Sequence, residues 1–155
     1  MTGVPYPITM IVLGIDFGSK RIGLAISDAE GEFAFPLETL QRKALAQDLR
    51  AIKKLAGERE VEAVVVGLPL HMNGQAGPEA EAAKGFAAKL AESLSIPVDL
   101  MDERLTTAEA QRVLRAGGKS GRKRREKVDA VAASIILRSY LEKEKSLRNL
   151  PKVDA

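Results

Sequence analysis

The chain has no cysteine, no tryptophan and a single histidine, His71. Without cysteine there can be no disulfide and no thiolate zinc site. One histidine rules out a multi-histidine metal centre. A bound metal would therefore be held by oxygen, which points to magnesium or manganese rather than zinc. The only aromatics are two tyrosines and four phenylalanines. Base stacking is then not the main way to hold a nucleic acid, and recognition of shape and backbone fits better. No apolar run approaches the ~20 residues of a membrane span. Residues 1–7 lack the basic flank and apolar stretch of a signal peptide. The first nine residues read as a flexible leader, and a cytoplasmic location is expected.

At 155 residues the prior is one domain. A chain of this size buries roughly 70% of its unfolded surface, enough for a core without staples. The formal net charge is only +3, but it is unevenly placed. Lys119, Arg122, Lys123, Arg124, Arg125 and Lys127 face Glu126 alone, a local +5 that leaves the rest of the chain at −2. One basic element on a mildly acidic body points to a polyanion better than a diffuse excess would.

Hydrophobic periodicity supplies the order of elements. Residues 10–17 and 21–28 are two apolar runs joined by Gly18-Ser19-Lys20, an antiparallel hairpin. A short third strand is expected over 32–37, ending near Pro36. Leu45, Leu49, Ile52 and Ala56 space a helix over about 40–57. Residues 61–67 have the continuous apolar pattern of a buried parallel strand. Pro78 suits the first turn of a helix running to about Leu94, with Ala83, Phe86, Leu90 and Leu94 inward. Residues 96–101 form a fifth strand. Thr106 and Glu109 have the spacing of a capping box for a helix to about Ala116, stopped by Gly117-Gly118. The basic segment is expected as a mobile loop, followed by a last helix over about 125–143. The predicted fold is α/β: a five-stranded mixed sheet of order 3-2-1-4-5 flanked by helices, over residues 10–143. A polar tail, 144–155, follows.

Asp16 ends the first apolar run, although Asp is a poor strand former and costly to bury as an anion. At a strand tip it would project a negative charge into a cleft. Asp102 and Glu103 lie at or just past the end of the fifth strand, and Asp129 lies on the last helix. In α/β sheets ligands gather at the carboxyl ends of the parallel strands, so three carboxylates can meet around one cleft. Two unit charges ~4 Å apart interact by ~4 kcal/mol at an effective dielectric of 20. A divalent cation turns that repulsion into attraction. Two such ions suit phosphodiester hydrolysis.

Four stretches together resemble the YqgF family. They are Gly14-Ile15-Asp16-Phe17-Gly18-Ser19-Lys20-Arg21-Ile22-Gly23, Val66-Gly67-Leu68-Pro69-Leu70, Asp102-Glu103-Arg104-Leu105-Thr106-Thr107, and Lys127-Val128-Asp129-Ala130 with Ala132-Ala133. Members of that family are described as Holliday junction resolvases and as nucleases that process the 5′ end of pre-16S ribosomal RNA. The resemblance covers about residues 10–142. It implies a ribonuclease H-like fold and a magnesium- or manganese-dependent endonuclease, with Asp16, an acid in Asp102-Glu103, and Asp129 as metal ligands. Better-known resolvases of that fold carry their second acid at the end of the fourth strand, where this chain has Gly67. Glu103 is favoured over Asp102 to replace it, because its arm is longer.

Lys20 and Arg21 flank the Asp16 tip and are candidates to hold the scissile phosphate. Lys119, Arg122, Lys123, Arg124, Arg125 and Lys127 are expected to contact phosphates, against the reading of an ordinary solvated charge run. Arg104 is either a nucleic-acid contact or an ion-pair neighbour of Glu103. His71 is expected in an exposed loop with an Asn73-Gly74 turn. The expected partners are pre-ribosomal RNA or branched DNA, and ribosomal precursor particles, with the protein a monomer or a homodimer. Two other functions stay open: a nonenzymatic RNA-binding assembly factor, and a nucleotide-binding module, since Asp16-Phe17-Gly18 followed by Gly23 also resembles the first phosphate loop of the actin and sugar-kinase group.

Overall fold

The computed structural model describes residues 10–106 and 122–148. Strands β1 (Val12–Phe17), β2 (Arg21–Ser27) and β3 (Ala34–Gln41) form a meander. Helix α1 (Leu45–Glu58), strand β4 (Ala63–Leu68), helix α2 (Pro78–Leu94) and strand β5 (Val98–Asp102) follow, and a 3-10 turn covers Glu103–Leu105. Helix α3 (Arg122–Arg148) closes the described chain. The sheet order is β3-β2-β1-β4-β5, with β2 antiparallel to β1 and β3, and β4 parallel to β1 and β5. This is the expected mixed sheet with the first strand at its centre.

Strand alternation divides the core in two. Leu13, Ile15, Ile22, Leu24, Val64 and Val66 point to one face and pack on Ile52 and Ala56 of α1 and on Ala83, Phe86 and Leu90 of α2. Val12, Ala25, Ala63, Val65 and Met101 point to the other and pack on Ala132, Ala133, Ile136 and Leu137 of α3. On this second face the helix lies almost on the sheet backbone. A Cβ added at Gly14 would stand 2.7 Å from Leu137 Cβ and 3.0 Å from the Ala133 carbonyl. One added at Gly23 would overlap the Asp129 carbonyl oxygen. Glycine at both positions admits the helix. Along its length α3 is tied down by the Tyr140 hydroxyl, which donates to Asp99 of β5 at 3.0 Å, and by Lys145 on Glu32 at 2.8 Å.

Four boundaries differ from the sequence reading. β3 runs on to Gln41 instead of stopping near Pro36. It is an edge strand, where a proline is tolerated, and the register shifts between Leu24 and Ala25 opposite it. α1 therefore starts at Leu45, where Gln47 accepts from the Ala44 N–H (3.2 Å) and Asp48 from the Lys43 N–H (2.9 Å). The basic segment from Arg122 onward is the first turns of α3, not a loop. Lys and Arg are good helix formers, but an all-polar turn carries no apolar period to betray it. The same helix continues to Arg148, into the segment expected as tail. The leader at 1–9, the helix expected beyond Thr106, and Lys119 lie outside the described residues.

Candidate active site

Asp16 is the penultimate residue of β1 and is only 8% exposed. Its β2 partner is Gly23. On the other side the ladder pairs Ile15 with Val66, so the next residue of β4, Gly67, lies beside Asp16. The central acid is thus flanked by two glycines. Each glycine lies about one strand spacing (~4.8 Å) from Asp16 and is covered by another part of the site. Over Gly23 lies the backbone of Asp129. Over Gly67 lies the carboxylate of Glu103, whose Oε2 would be 2.9 Å from a Cβ placed there. The acid on the turn after β5 occupies the space that a side chain at the end of β4 would fill.

That contact also separates Glu103 from Asp102. Glu103 is 6% exposed and reaches the α3 face. Asp102 pairs with Leu68 in the β4–β5 register and so belongs to the opposite face. Its carboxylate is taken by Arg104, with Nη2 at 2.7 Å, Nε at 3.1 Å and the backbone N–H at 2.9 Å. The Arg104 hydrogen bond holds the Asp102 carboxyl below the usual carboxylate range. Arg104 also donates Nη1 to the Met72 carbonyl at 3.3 Å, which pins the loop after β4. Its ion-pair partner is therefore Asp102, not Glu103. The Thr106 hydroxyl donates to the Glu103 carbonyl at 3.0 Å and closes the 3-10 turn.

Asp16, Glu103 and Asp129 all line one cleft of about 520 Å³ at the carboxyl end of β1. Asp129 accepts from Arg21 Nε at 2.5 Å in a partly buried ion pair. Arg21, a candidate phosphate contact from the sequence, is thus paired with one acid of the cleft. Lys20 is exposed at the hairpin tip and Lys127 is exposed on α3. Arg122, Lys123, Arg124 and Arg125 precede Asp129 on that helix, which leads the basic turns to the cleft end of the sheet. His71 is exposed, and its loop turns at Gly74, where φ is +87°.

The cleft has two further charged walls that the sequence reading missed, Arg42 and Glu79. Arg42 follows β3, and its N–H donates to the Lys20 carbonyl at 2.9 Å. With β3 ended near Pro36, nothing placed it at the hairpin tip. Glu79 sits in the first turn of α2, which follows a parallel strand and so starts at the ligand-bearing edge.

The donor chemistry fits a hard divalent cation: the cleft offers carboxylate oxygens and no histidine. Among the described residues, no three acidic side chains converge closely enough to enclose an ion as they stand. A cation bound at Asp129 would have to exchange with the Arg21 guanidinium.

A family profile described as "RuvX: Holliday junction resolvase" matches residues 10–143. The chain belongs to the RuvX family. This is the group, also called YqgF, that the four motifs resemble. Among RuvX relatives, a protein of Moorella thermoacetica named "Putative pre-16S rRNA nuclease" is 48% identical over 134 residues, 86% of this chain and 96% of that protein. One of the same name from Caldanaerobacter subterraneus is 48% identical over 138 residues, 88% of this chain and 99% of that protein. The fold is also that of Thermus thermophilus RuvC, with a TM-score of 0.57 at 18% identity over 88% of this chain and 97% of that one. RuvC bound to a Holliday junction substrate gives a TM-score of 0.55 at 20% identity, over 87% and 96% of the two chains. The ribonuclease H-like architecture of this RuvX chain is thereby shown.

Proposed function

We propose that this chain is a metal-dependent endonuclease that hydrolyses phosphodiester bonds in structured nucleic acid, and that it trims the 5′ end of pre-16S ribosomal RNA. The observation that carries the reading is the convergence of Asp16, Glu103 and Asp129, from three distant parts of the chain, on one cleft. Membership of a resolvase family and the name borne by relatives of nearly equal length support it. A magnesium or manganese ion, when bound, would lower the pKa of a water and stabilise the charge on the leaving oxygen.

The chain's own residues do the rest. Asp16, Glu103 and Asp129 would hold the ion, with Asp16 fixed by the sheet and Glu103 by the 3-10 turn. Arg21 pairs with the Asp129 carboxylate and balances its charge while the cleft is free of substrate. Lys20 at the tip, and the basic turns of α3 from Arg122 to Lys127, would meet phosphates flanking the cut and place the backbone against the acids. A cytoplasmic location and work on ribosomal precursor particles follow from that substrate.

The test is incubation of the protein with a ribosomal RNA precursor and with a four-way DNA junction, side by side, in magnesium, in manganese and in chelator. Cleavage of the precursor that needs metal and is lost in Asp16→Asn is expected. Equal cleavage by both proteins would remove Asp16 from the chemistry. If Asp16→Asn supports ribosome maturation in cells as well as the wild type does, the protein is a nonenzymatic assembly factor. ATP binding seen by thermal shift would revive the nucleotide-binding reading.

A further inference from the structure

A cleft meant for a polyanion should not repel it, yet four of the side chains on its wall are carboxylates: Asp16, Glu79, Glu103 and Asp129. Arg42 is the one cation on that wall among the described residues. Its setting differs from that of a surface arginine. The guanidinium lies 4.4 Å over the Phe17 ring. Phe17 in turn stacks on Phe86 of α2, with centroids 4.1 Å apart. A column of three flat groups thus runs from the core to the cleft. Arg42 Nη1 donates to the carbonyls of Gly18 and Ser19, each at 3.2 Å. Nε stands 3.9 Å from Asp48 Oδ2, beyond hydrogen-bonding distance, and neither atom has a hydrogen-bond partner.

The ring, two carbonyls and a carboxylate therefore fix the guanidinium on its inner sides. The Arg42 side chain remains 29% exposed. Among the described residues Nη2 makes no hydrogen bond to protein. A group needed only to staple the hairpin tip has no reason to keep a donor edge on the cleft. Arginine's planar fork matches phosphate oxygens, and a fork already immobilised loses little entropy when it binds.

We propose that Arg42 holds a backbone phosphate of the bound strand, beside the carboxylates and opposite in charge to them. The assignment rests on the nuclease reading and adds a binding residue to it. Arg42 sets where the strand lies relative to Asp16, because the same guanidinium grips the turn that follows Asp16 on β1.

The experiment measures binding of a labelled, stem-bearing fragment of ribosomal RNA precursor by fluorescence anisotropy across a salt series. An Asp16→Asn background keeps the strand intact, and Arg42→Ala, Arg42→Gln and Arg42→Lys are added to it. Loss of one phosphate contact should weaken binding about tenfold in the Ala and Gln variants. It should also make the slope of log K against log salt shallower by about 0.7–0.9. The Lys variant should keep the slope. Arg42→Gln retains a donor for the Gly18 and Ser19 carbonyls, so it decides the matter if the Ala variant does not fold. An unchanged slope in the neutral variants, whatever happens to melting temperature, would overturn the proposal. If the Asp16→Asn parent itself shows no salt-dependent binding, the nuclease reading falls with it.

Discussion

On the face of the sheet covered by α1 and α2 the side chains are large: Leu13, Ile15, Leu24, Val64 and Val66 against Ile52, Phe86 and Leu90. On the face covered by α3 the rows mix Val12, Val65 and Met101 with Gly14, Gly23, Ala25, Ala63 and Gly67, and small Ala132 and Ala133 stand beside Ile136 and Leu137 on the helix. The first face buries volume, and its energy comes from apolar area removed from water. The second lets a helix backbone touch a sheet backbone, so that Asp129 and Glu103 lie over the two glycines that flank Asp16. The same fold thus uses one face for stability and the other for position. Substitutions should separate the two.

Asp16→Asn should have the largest effect. Its charge is the fixed centre of the site, and losing several kcal/mol of charge stabilisation corresponds to about 10³-fold in cleavage rate, measured on the ribosomal RNA precursor. Gly23→Ala should come next. The new methyl cannot share space with the Asp129 carbonyl, so α3 must lift. About 1–3 kcal/mol of stability should be lost. A displacement of ~1 Å should cost about 10²-fold in rate even where the protein is fully folded. Leu90→Ala, on the large-residue face, should do the reverse: about 2–5 kcal/mol lost in urea unfolding, with the rate of the folded fraction unchanged. A Gly23→Ala protein as active as the wild type would break the distinction between the faces.

Arg21→Gln probes the charge balance on the α3 face. Removing the guanidinium from Asp129 frees a carboxylate for the ion, and manganese titrated calorimetrically should bind several-fold tighter. A charge-assisted hydrogen bond of ~1.5–3 kcal/mol sets the scale, reduced here by partial exposure. Weaker binding would mean that Arg21 serves to hold Asp129 ready for the ion.

The large-residue face was legible in the sequence because apolar period and helix spacing record it directly. Of the residues at inward spacing, Ile52, Ala56, Ala83, Phe86 and Leu90 are buried and Leu49 and Leu94 partly so, whereas Leu45, the first residue of α1, is exposed. That Asp16, Glu103 and Asp129 line one cleft was legible too, because the topology rule places two strand ends there with a helix across them; among the described residues the structure does not close three acids around an ion as expected. What escaped was recorded in small or polar residues. A glycine that admits a helix looks like any glycine, so the roles of Gly23 and Gly67 appeared only with coordinates. Arg42 was missed because Pro36 reads as a strand end, and the edge-strand context that tolerates it is a tertiary fact. The polar start of α3 had no apolar period to show it.

Asp102 and Glu103 give the smallest test, and it lies within two consecutive residues. Glu103 turns to the cleft, whereas Asp102 lies on the other face with Arg104. The Asp102 carboxyl is held below its usual range. A depressed carboxylate contributes stability that is whole above the unfolded value, near 3.8, and is lost as pH falls through the lower folded value. Asp102→Asn should therefore cost under about 1 kcal/mol at neutral pH, since the pair is solvent-screened. It should also flatten the fall of stability below that unfolded value, followed by unfolding in urea at several pH values. Cleavage should drop little, through the loop that Arg104 pins at Met72. Glu103→Gln should leave that acid-limb behaviour in place and lose most of the cleavage. If the two variants exchange these effects, the second acid of the site is Asp102 and the Gly67 contact is incidental.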